Sequence, residues 1–425
     1  MISNILVISS TFTGHGHKSI TEALNDHFVL YPDVKVHVID GFNLGGNIGL
    51  RVGKMYGSVT RNAKEVWKLM WEISCSKPQL VEEFVELVIR DNFLKLIKST
   101  KPDLILSVHP NFNTPIVNIL KEHNLKIPFV TLIADLVSIS PLWAPPEADS
   151  IICPTPESKY KCLEFGVSES KLAVLGFPVR KRFTDHIGKT GAGKNYTMDR
   201  PLECLIMSGG EGVGNMSRIA RILLNHFNCR VKIIAGRNAI LKRRLELTLK
   251  EKYGDRVEIF GFVENVQDLM VSSDIAFTRG SPNTALEAVA CNVPLVITGA
   301  LPGQEEGNPG YIQKYNLGVV CKDLRKLRST VNELLANNAQ KLNGIKQSQR
   351  EYSDPEIAKN IVDFLMSFEK NEEIDFNAIK IGPRFKGLAE FETAKESIVK
   401  VSKNLQEVLG PRRLIKYRDK LRNRR

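Results

Sequence analysis

Two segments of this chain share one construction: a short apolar run closes in a glycine-rich turn, and a helix-like stretch follows. The first is "NILVISS" at residues 4–10, which passes through "TFTGHGH" into residues 18–28. The second is "LECLIMS" at residues 202–208, which passes through "GGEGVGN" into residues 216–227. Runs so rich in Ile, Val and Leu, with no regular polar alternation, suit parallel strands covered on both faces. Glycine in the connecting turn lets a ligand approach the backbone closely, and the N–H groups of a following helix start favour an anion. The repetition implies two α/β units in tandem.

Each unit then continues in the same manner. "VKVHVID", "PDLILSV", "PFVTLIAD" and "SIICP" follow the first turn, and "CRVKIIAG", "RVEIFGFV", "SDIAFTRG" and "VPLVITG" follow the second. Between them "IGKTGAGKNYTMDRP", residues 187–201, is Gly-rich, polar and basic, and reads as a linker. The expected organisation is a Rossmann-like domain at 1–186, a second at 202–370, and a helical extension with a basic tail at 371–425. Two open α/β domains facing a cleft hold ligands at the carboxyl ends of their strands.

Composition sharpens this at three points. The seven cysteines show no CxxC spacing, which argues against a zinc site or a disulfide framework. No stretch approaches the ~20 apolar residues of a membrane span, and the N-terminal run lacks a charged leader and a cleavage site. The protein is therefore expected in the cytoplasm or on the cytoplasmic face of a membrane. The formal net charge is +12, and residues 411–425, "PRRLIKYRDKLRNRR", carry eight basic residues against one acidic. Such a tail suits an anionic membrane surface. No nucleic-acid partner is expected, since no RNA-binding motif accompanies the charge.

Neither glycine turn completes GxGxxG with an acidic residue at the required distance, and no Walker lysine motif is present, so dinucleotide and P-loop readings lose ground. The second half adds "TRGSPNTALEAVA" at 278–290, where Ser281, Asn283 and Thr284 sit at a predicted helix start that Asn283 or Thr284 can cap. Glu287 lies one turn beyond Thr284, either as its capping-box partner or as an acceptor for a ribose hydroxyl pair. The loop "LPGQEEGNPGY" at 301–311 crowds Gln304, Glu305, Glu306 and Asn308 between glycines and prolines. Those side chains either cap backbone groups or read a hydroxyl-rich ligand.

Taken in order, "TGHGHKS", "SVHP", "ADL", "LGFPVR", "MSGGEGVG", "TRGSPNTALEA" and "PGQEEGN", spread over residues 5–320, resemble glycosyltransferase family 28 on the GT-B fold. The resemblance is strongest to the branch of monogalactosyldiacylglycerol synthases and processive diacylglycerol glycosyltransferases. It implies a UDP-sugar held by the second domain, with Gly210 and Glu211 among the donor-binding residues: Glu287 on the ribose, Ser281, Asn283, Thr284, Gly212 and Gly214 facing the diphosphate, and Gln304, Glu305 and Asn308 on the sugar. Arg180 would assist the departure of UDP. A lipid acceptor would lie on the first-domain side, near Gly14 and Gly16. His17 is the first choice of base, Asp135 the second, as base or as orienter of the histidine, and His109 the third. No DxD pair stands at a strand end, so metal-free departure of UDP with inversion to a β-glycoside is expected, with no cofactor beyond the UDP-sugar. The chain departs from the family pattern at Gly14-His15-Gly16, at Asn113 and at Ala134.

Trp67 and Trp71, with Lys64 and Lys68 beside them, form an amphipathic face suited to a lipid interface or to the helix's own domain. Phe391, Ala394, Ile398, Val401, Leu405 and Val408 make an apolar seam that fits either packing on the chain itself or a homo-oligomer through residues 388–408. Alternatives to a diacylglycerol-type acceptor are a polyprenyl-linked or soluble acceptor, or a UDP-sugar 2-epimerase sharing the donor site.

Overall fold

The computed structural model describes residues 2–11, 16–187, 195–208, 215–371 and 374–381. Every apolar run picked out in the sequence forms a strand. In the first domain β1 (Asn4–Ser9), β2 (Lys35–Asp40), β3 (Leu104–Ser107), β4 (Phe129–Leu132), β5 (Ser150–Cys153) and β6 (Leu172–Val174) form a sheet of order β2-β1-β3-β4-β5-β6. In the second, β7 (Leu202–Met207), β8 (Cys229–Ile234), β9 (Val257–Phe260), β10 (Ile275–Thr278), β11 (Leu295–Ile297) and β12 (Gly318–Val320) take the order β12-β11-β10-β7-β8-β9. All neighbouring pairs are parallel. Helices cover both sheets, which is why β3, β4, β5, β10 and β11 are buried at every residue.

The strand order fixes where a ligand goes. β1 has β2 on one side and β3 on the other, and β7 has β8 and β10. At these switch points the connections leave in opposite directions and open a crevice above the strand ends. The helix Gly16–Phe28 starts after β1, and the helix Pro282–Ala290 starts after β10.

β6 and β12 were not expected from the sequence. Each has three residues, and only the first of each is fully buried, so neither leaves an apolar run long enough to recognise. Domain boundaries shift as well. Tyr196, placed in the linker by sequence, is in the second-domain core, and its amide N–H donates to Asn343 Oδ1 at 2.9 Å. The helix Ile357–Met366, with Ile361, Val362 and Leu365 fully buried, packs on the first-domain helix Gly16–Phe28, and Tyr31 donates to Asp363 at 2.8 Å. The chain crosses back where Gly176 has φ of +96° and a Cβ would stand 2.6 Å from Ile357 Cδ1, a spot that only glycine fits. Lys370 then pairs with Asp103 at 3.2 Å. The seam at 388–408 and the basic tail lie outside the described residues.

Candidate active site

On the first-domain wall, His17 occupies the first turn of the helix Gly16–Phe28, and its Nδ1 lies 2.5 Å from the Val108 carbonyl. A carbonyl only accepts, so Nδ1 carries the proton and Nε2 of the neutral ring is a free base. Burial lowers the His17 pKa to about 4, against the Val108 bond and Asp40, which both raise it. His109 stands 4.6 Å away, ring centre to ring centre. Its Nδ1 accepts from the Asn111 amide at 3.3 Å, which places its proton on Nε2, and burial and His17 hold its pKa well below the ordinary value. The pair thus offers one acceptor and one donor.

Asp135, just past β4, is 3% exposed. Trp143 Nε1 donates to its Oδ2 at 2.8 Å, and Gln304 Nε2 donates to its Oδ1 at 3.0 Å from the other domain. Burial raises its pKa to about 7, with Glu305 adding to the rise and the two donors opposing it. The expected role of Asp135 as orienter of the histidine falls to the Val108 carbonyl instead, which takes the one proton of His17 Nδ1.

The second-domain wall is built on the helix Pro282–Ala290. Its N-cap is Ser281, with φ −70° and ψ 129° and no side-chain capping bond, so neither Asn283 nor Thr284 caps it as expected. The first N–H groups of the helix are those that helical geometry leaves for an outside acceptor. Gly16 meets this turn directly: a Cβ there would stand 2.8 Å from Asn283 Nδ2. Two helix starts therefore converge across the cleft, and their partial positive charges add.

Glu287 is 7% exposed and accepts from Arg180 Nη2 at 2.6 Å. It is thereby neither a capping-box partner nor isolated, and Arg180, expected at the diphosphate, rests on this carboxylate. In the 301–311 loop, Glu305 accepts from the Leu301 amide at 2.8 Å and pairs with Arg279 at 3.4 Å. Asn308 donates to the Gly280 carbonyl at 2.7 Å, while its Oδ1, like Thr278 Oγ1, is buried without a partner among the described residues. Glu305 and Asn308 thus shape the loop, and Gln304 reaches across the cleft. A cavity of about 120 Å³ opens beside them, lined by Met207, Ser208, Asn215, Arg279, Thr298 and Leu301.

The loop leans on the first domain. Gly307 N–H donates to Ser138 Oγ at 3.0 Å, and at Gly303, with φ of +79°, a Cβ would run into the Trp71 indole. Trp67 is 5% exposed and Trp71 half-buried, so the pair does not form the exposed aromatic face that the sequence suggested. Their large apolar areas are covered by the protein itself. Among the described residues, the exposed apolar side chains of this region are Ile48, Met55, Leu69 and Leu80. Gly14, Gly210, Glu211, Gly212 and Gly214 lie outside the described residues. Trp143, Ser138, Arg279 and Glu22 escaped sequence reasoning: Ser138, Arg279 and Glu22 act through partners far away in the chain, and Trp143 reaches Asp135 only because the turn after β4 folds back. Among the described residues, no group of three or more His, Cys, Asp or Glu is placed to hold a metal ion.

The monogalactosyldiacylglycerol (MGDG) synthase family model matches residues 16–179, and the model of glycosyl transferases group 1 matches residues 213–337. The chain is 28% identical over 377 residues to monogalactosyldiacylglycerol synthase 2, chloroplastic, of Arabidopsis thaliana, covering 84% of this chain and 79% of that one. It is 25% identical over 372 residues to the processive diacylglycerol beta-glucosyltransferase of Bacillus cytotoxicus, covering 86% and 94%. Among solved structures, MurG of Acinetobacter baumannii superposes with a TM-score of 0.58 at 14% identity, covering 86% of this chain and all of that one. UDP-GlcNAc 2-epimerase from Neisseria meningitidis gives 0.55 at 13% identity, over 86% and 100%. The resemblance read from the motifs is borne out, and the fold is GT-B: two Rossmann-like domains facing a cleft.

Proposed function

We propose that this chain is an inverting hexosyltransferase that moves a hexose from a UDP-sugar to a diacylglycerol-type lipid, forming a β-glycolipid. The relatives' activities support the reaction class. The observation that carries the reading is the meeting of unlike walls: a neutral histidine with Nε2 free faces a domain whose helix start and paired carboxylate suit a nucleoside diphosphate.

In this reading the uracil enters the cavity beside Met207 and Arg279, the ribose hydroxyls meet Glu287, and the diphosphate lies at the helix start of Pro282–Ala290. The acceptor hydroxyl oxygen attacks the anomeric carbon, the bond to the diphosphate oxygen breaks, and the electron pair leaves with UDP. The hydroxyl proton passes to His17 Nε2. The converging helix starts stabilise the negative charge that develops on UDP, so the step needs no metal. Attack opposite the leaving group inverts the carbon. Asp135 has the pKa nearer to neutrality, but its oxygens are engaged, which makes it the second choice; His109 Nε2–H is placed as a donor.

No helix among the described residues is long and apolar enough to cross a membrane. Peripheral attachment at the cytoplasmic face is the reading we favour, through exposed Ile48, Met55, Leu69 and Leu80 on the first-domain helices and through the basic tail. Such apolar groups insert shallowly at an interface.

The test is UDP release from UDP-glucose and UDP-galactose, with and without vesicles containing diacylglycerol. Release that requires diacylglycerol, with glycolipid in the organic phase, is expected. Epimerised sugar nucleotide formed without lipid would move the chain to the 2-epimerase reading.

A further inference from the structure

Arg180 lies at the end of "LGFPVR", where the first domain meets the second, and its guanidinium is held on three sides. Nη2 donates to Glu287 Oε1 at 2.6 Å, Nη1 donates to Glu22 Oε2 at 3.1 Å, and the group lies over the fully buried Phe183 ring at 5.0 Å from its centre. Glu22 is on the helix Gly16–Phe28 that carries His17, and Glu287 is on the helix Pro282–Ala290. One side chain therefore ties the two helices whose starts meet in the cleft. Arginine suits this task because its planar fork sends separate N–H groups to separate carboxylates, which a lysine ammonium on a flexible stem does poorly.

We infer that Arg180 is a positioning residue for the donor: it holds the Glu287 carboxylate ionised and fixed by one oxygen, so that the other accepts the ribose hydroxyls. The inference rests on the reading of Glu287 as the ribose acceptor. A carboxylate so buried and without a counter-charge takes up a proton, and the neutral acid is a poor acceptor for two hydroxyls. Burial already raises the Glu287 pKa; Arg180, directly and through its hydrogen bond, is the main influence against that rise, Arg182 opposes it more weakly and remains in the Arg180 variants, and the Glu22 charge adds to the rise. Glu22 adds a second consequence. It holds the guanidinium from the far side, so the orientation of Glu287 is set relative to the helix that begins beside His17.

The experiment is calorimetric titration of the full chain with UDP and with 2′,3′-dideoxy-UDP at pH 6 and pH 8, for the wild type, Glu287→Ala, Arg180→Gln and Arg180→Lys. The readout is the preference for UDP over the dideoxy compound. As a ratio of two affinities in one sample, it is not mimicked by partial unfolding. The wild type should prefer UDP by roughly tenfold or more, the scale of a lost pair of buried hydrogen bonds, and Glu287→Ala should lose the preference. Arg180→Gln should lose it at pH 6 and recover much of it at pH 8, where the unpaired carboxyl ionises again. Arg180→Lys should lie between Arg180→Gln and the wild type at pH 6. A wild-type preference in Arg180→Gln at both pH values would overturn the inference. So would equal loss at both, with Arg180→Lys no better, since that marks a role in shape alone. If Glu287→Ala keeps the preference, the ribose reading itself fails, and that result is distinct from the other two.

Discussion

The two walls of the cleft surround their buried polar groups differently. On the first-domain side, burial suppresses charge: His17 and His109 are held neutral, and the Asp135 pKa is raised to about 7. On the second-domain side the carboxylates are paired with arginines, Glu287 with Arg180 and Glu305 with Arg279. Groups that must take a proton need a basic lone pair and a fixed position, whereas groups that grip a polar ligand work best charged and fixed beforehand. In the reading proposed above, the first-domain wall carries the chemistry and the second-domain wall the donor.

The largest expected effect breaks this contrast on the chemical side. His17→Ala should lower turnover by about two to four orders of magnitude, the usual contribution of a positioned base. Affinity for UDP should stay nearly unchanged, because His17 lies in the other domain. Steady-state kinetics with a UDP titration checks both halves. Near-normal turnover would move the base to Asp135.

Gln304 is where the walls meet, so its removal should disturb both. Gln304→Ala takes a donor from Asp135 and a polar partner from the proposed sugar site. The Gln304 hydrogen bond lowers the Asp135 pKa, so its loss should raise that pKa further. If Asp135 takes part in turnover, the acid limb of the pH profile then shifts to higher pH. Donor affinity should fall by ~1 to 3 kcal/mol, the cost of an unmet buried hydroxyl. A pH profile and a donor affinity that are both unchanged would show that Gln304 serves neither wall.

Much of this was legible in the sequence, and for a physical reason. The strands announced themselves where burial on both faces demands an apolar run, as in "NILVISS" and in "VPLVITG", whose strand is buried at every residue. The glycine turns and the Gln304 loop stood out because side chains crowded between glycines have few other uses. What stayed hidden depends on distant partners. Nothing local shows that Ser138 accepts from Gly307, or that Arg180 bridges Glu22 and Glu287. The Trp67 and Trp71 spacing fits a lipid face and a domain face alike, because helical spacing reports amphipathicity and not what covers it. The return of Ile357–Met366 to the first domain was equally silent, since its apolar face fits either core.

The smallest effect concerns stability against pH, and it sharpens the contrast within the first-domain wall itself. His17 titrates near 6.5 when exposed and near 4 when folded, so the folded chain binds fewer protons than the unfolded one between those values. Its contribution is fully present above pH 6.5 and is lost as pH falls towards 4. Asp135 does the reverse. Its pKa rises from 3.8 to about 7 on folding, so the folded chain binds more protons there, and its contribution is lost as pH rises from about 4 to 7. In one window the two groups tilt stability in opposite directions, by at most about 1.4 kcal/mol per pH unit each. His17→Gln should therefore flatten the rise in unfolding midpoint from pH 4.5 to 6.5, and Asp135→Asn should steepen it. All three tryptophans, Trp67, Trp71 and Trp143, lie in the first domain, so urea unfolding followed by tryptophan fluorescence reports on this wall. Changes of slope in the same direction for both variants would show that the wall does not hold its histidine and its carboxyl in opposed protonation states.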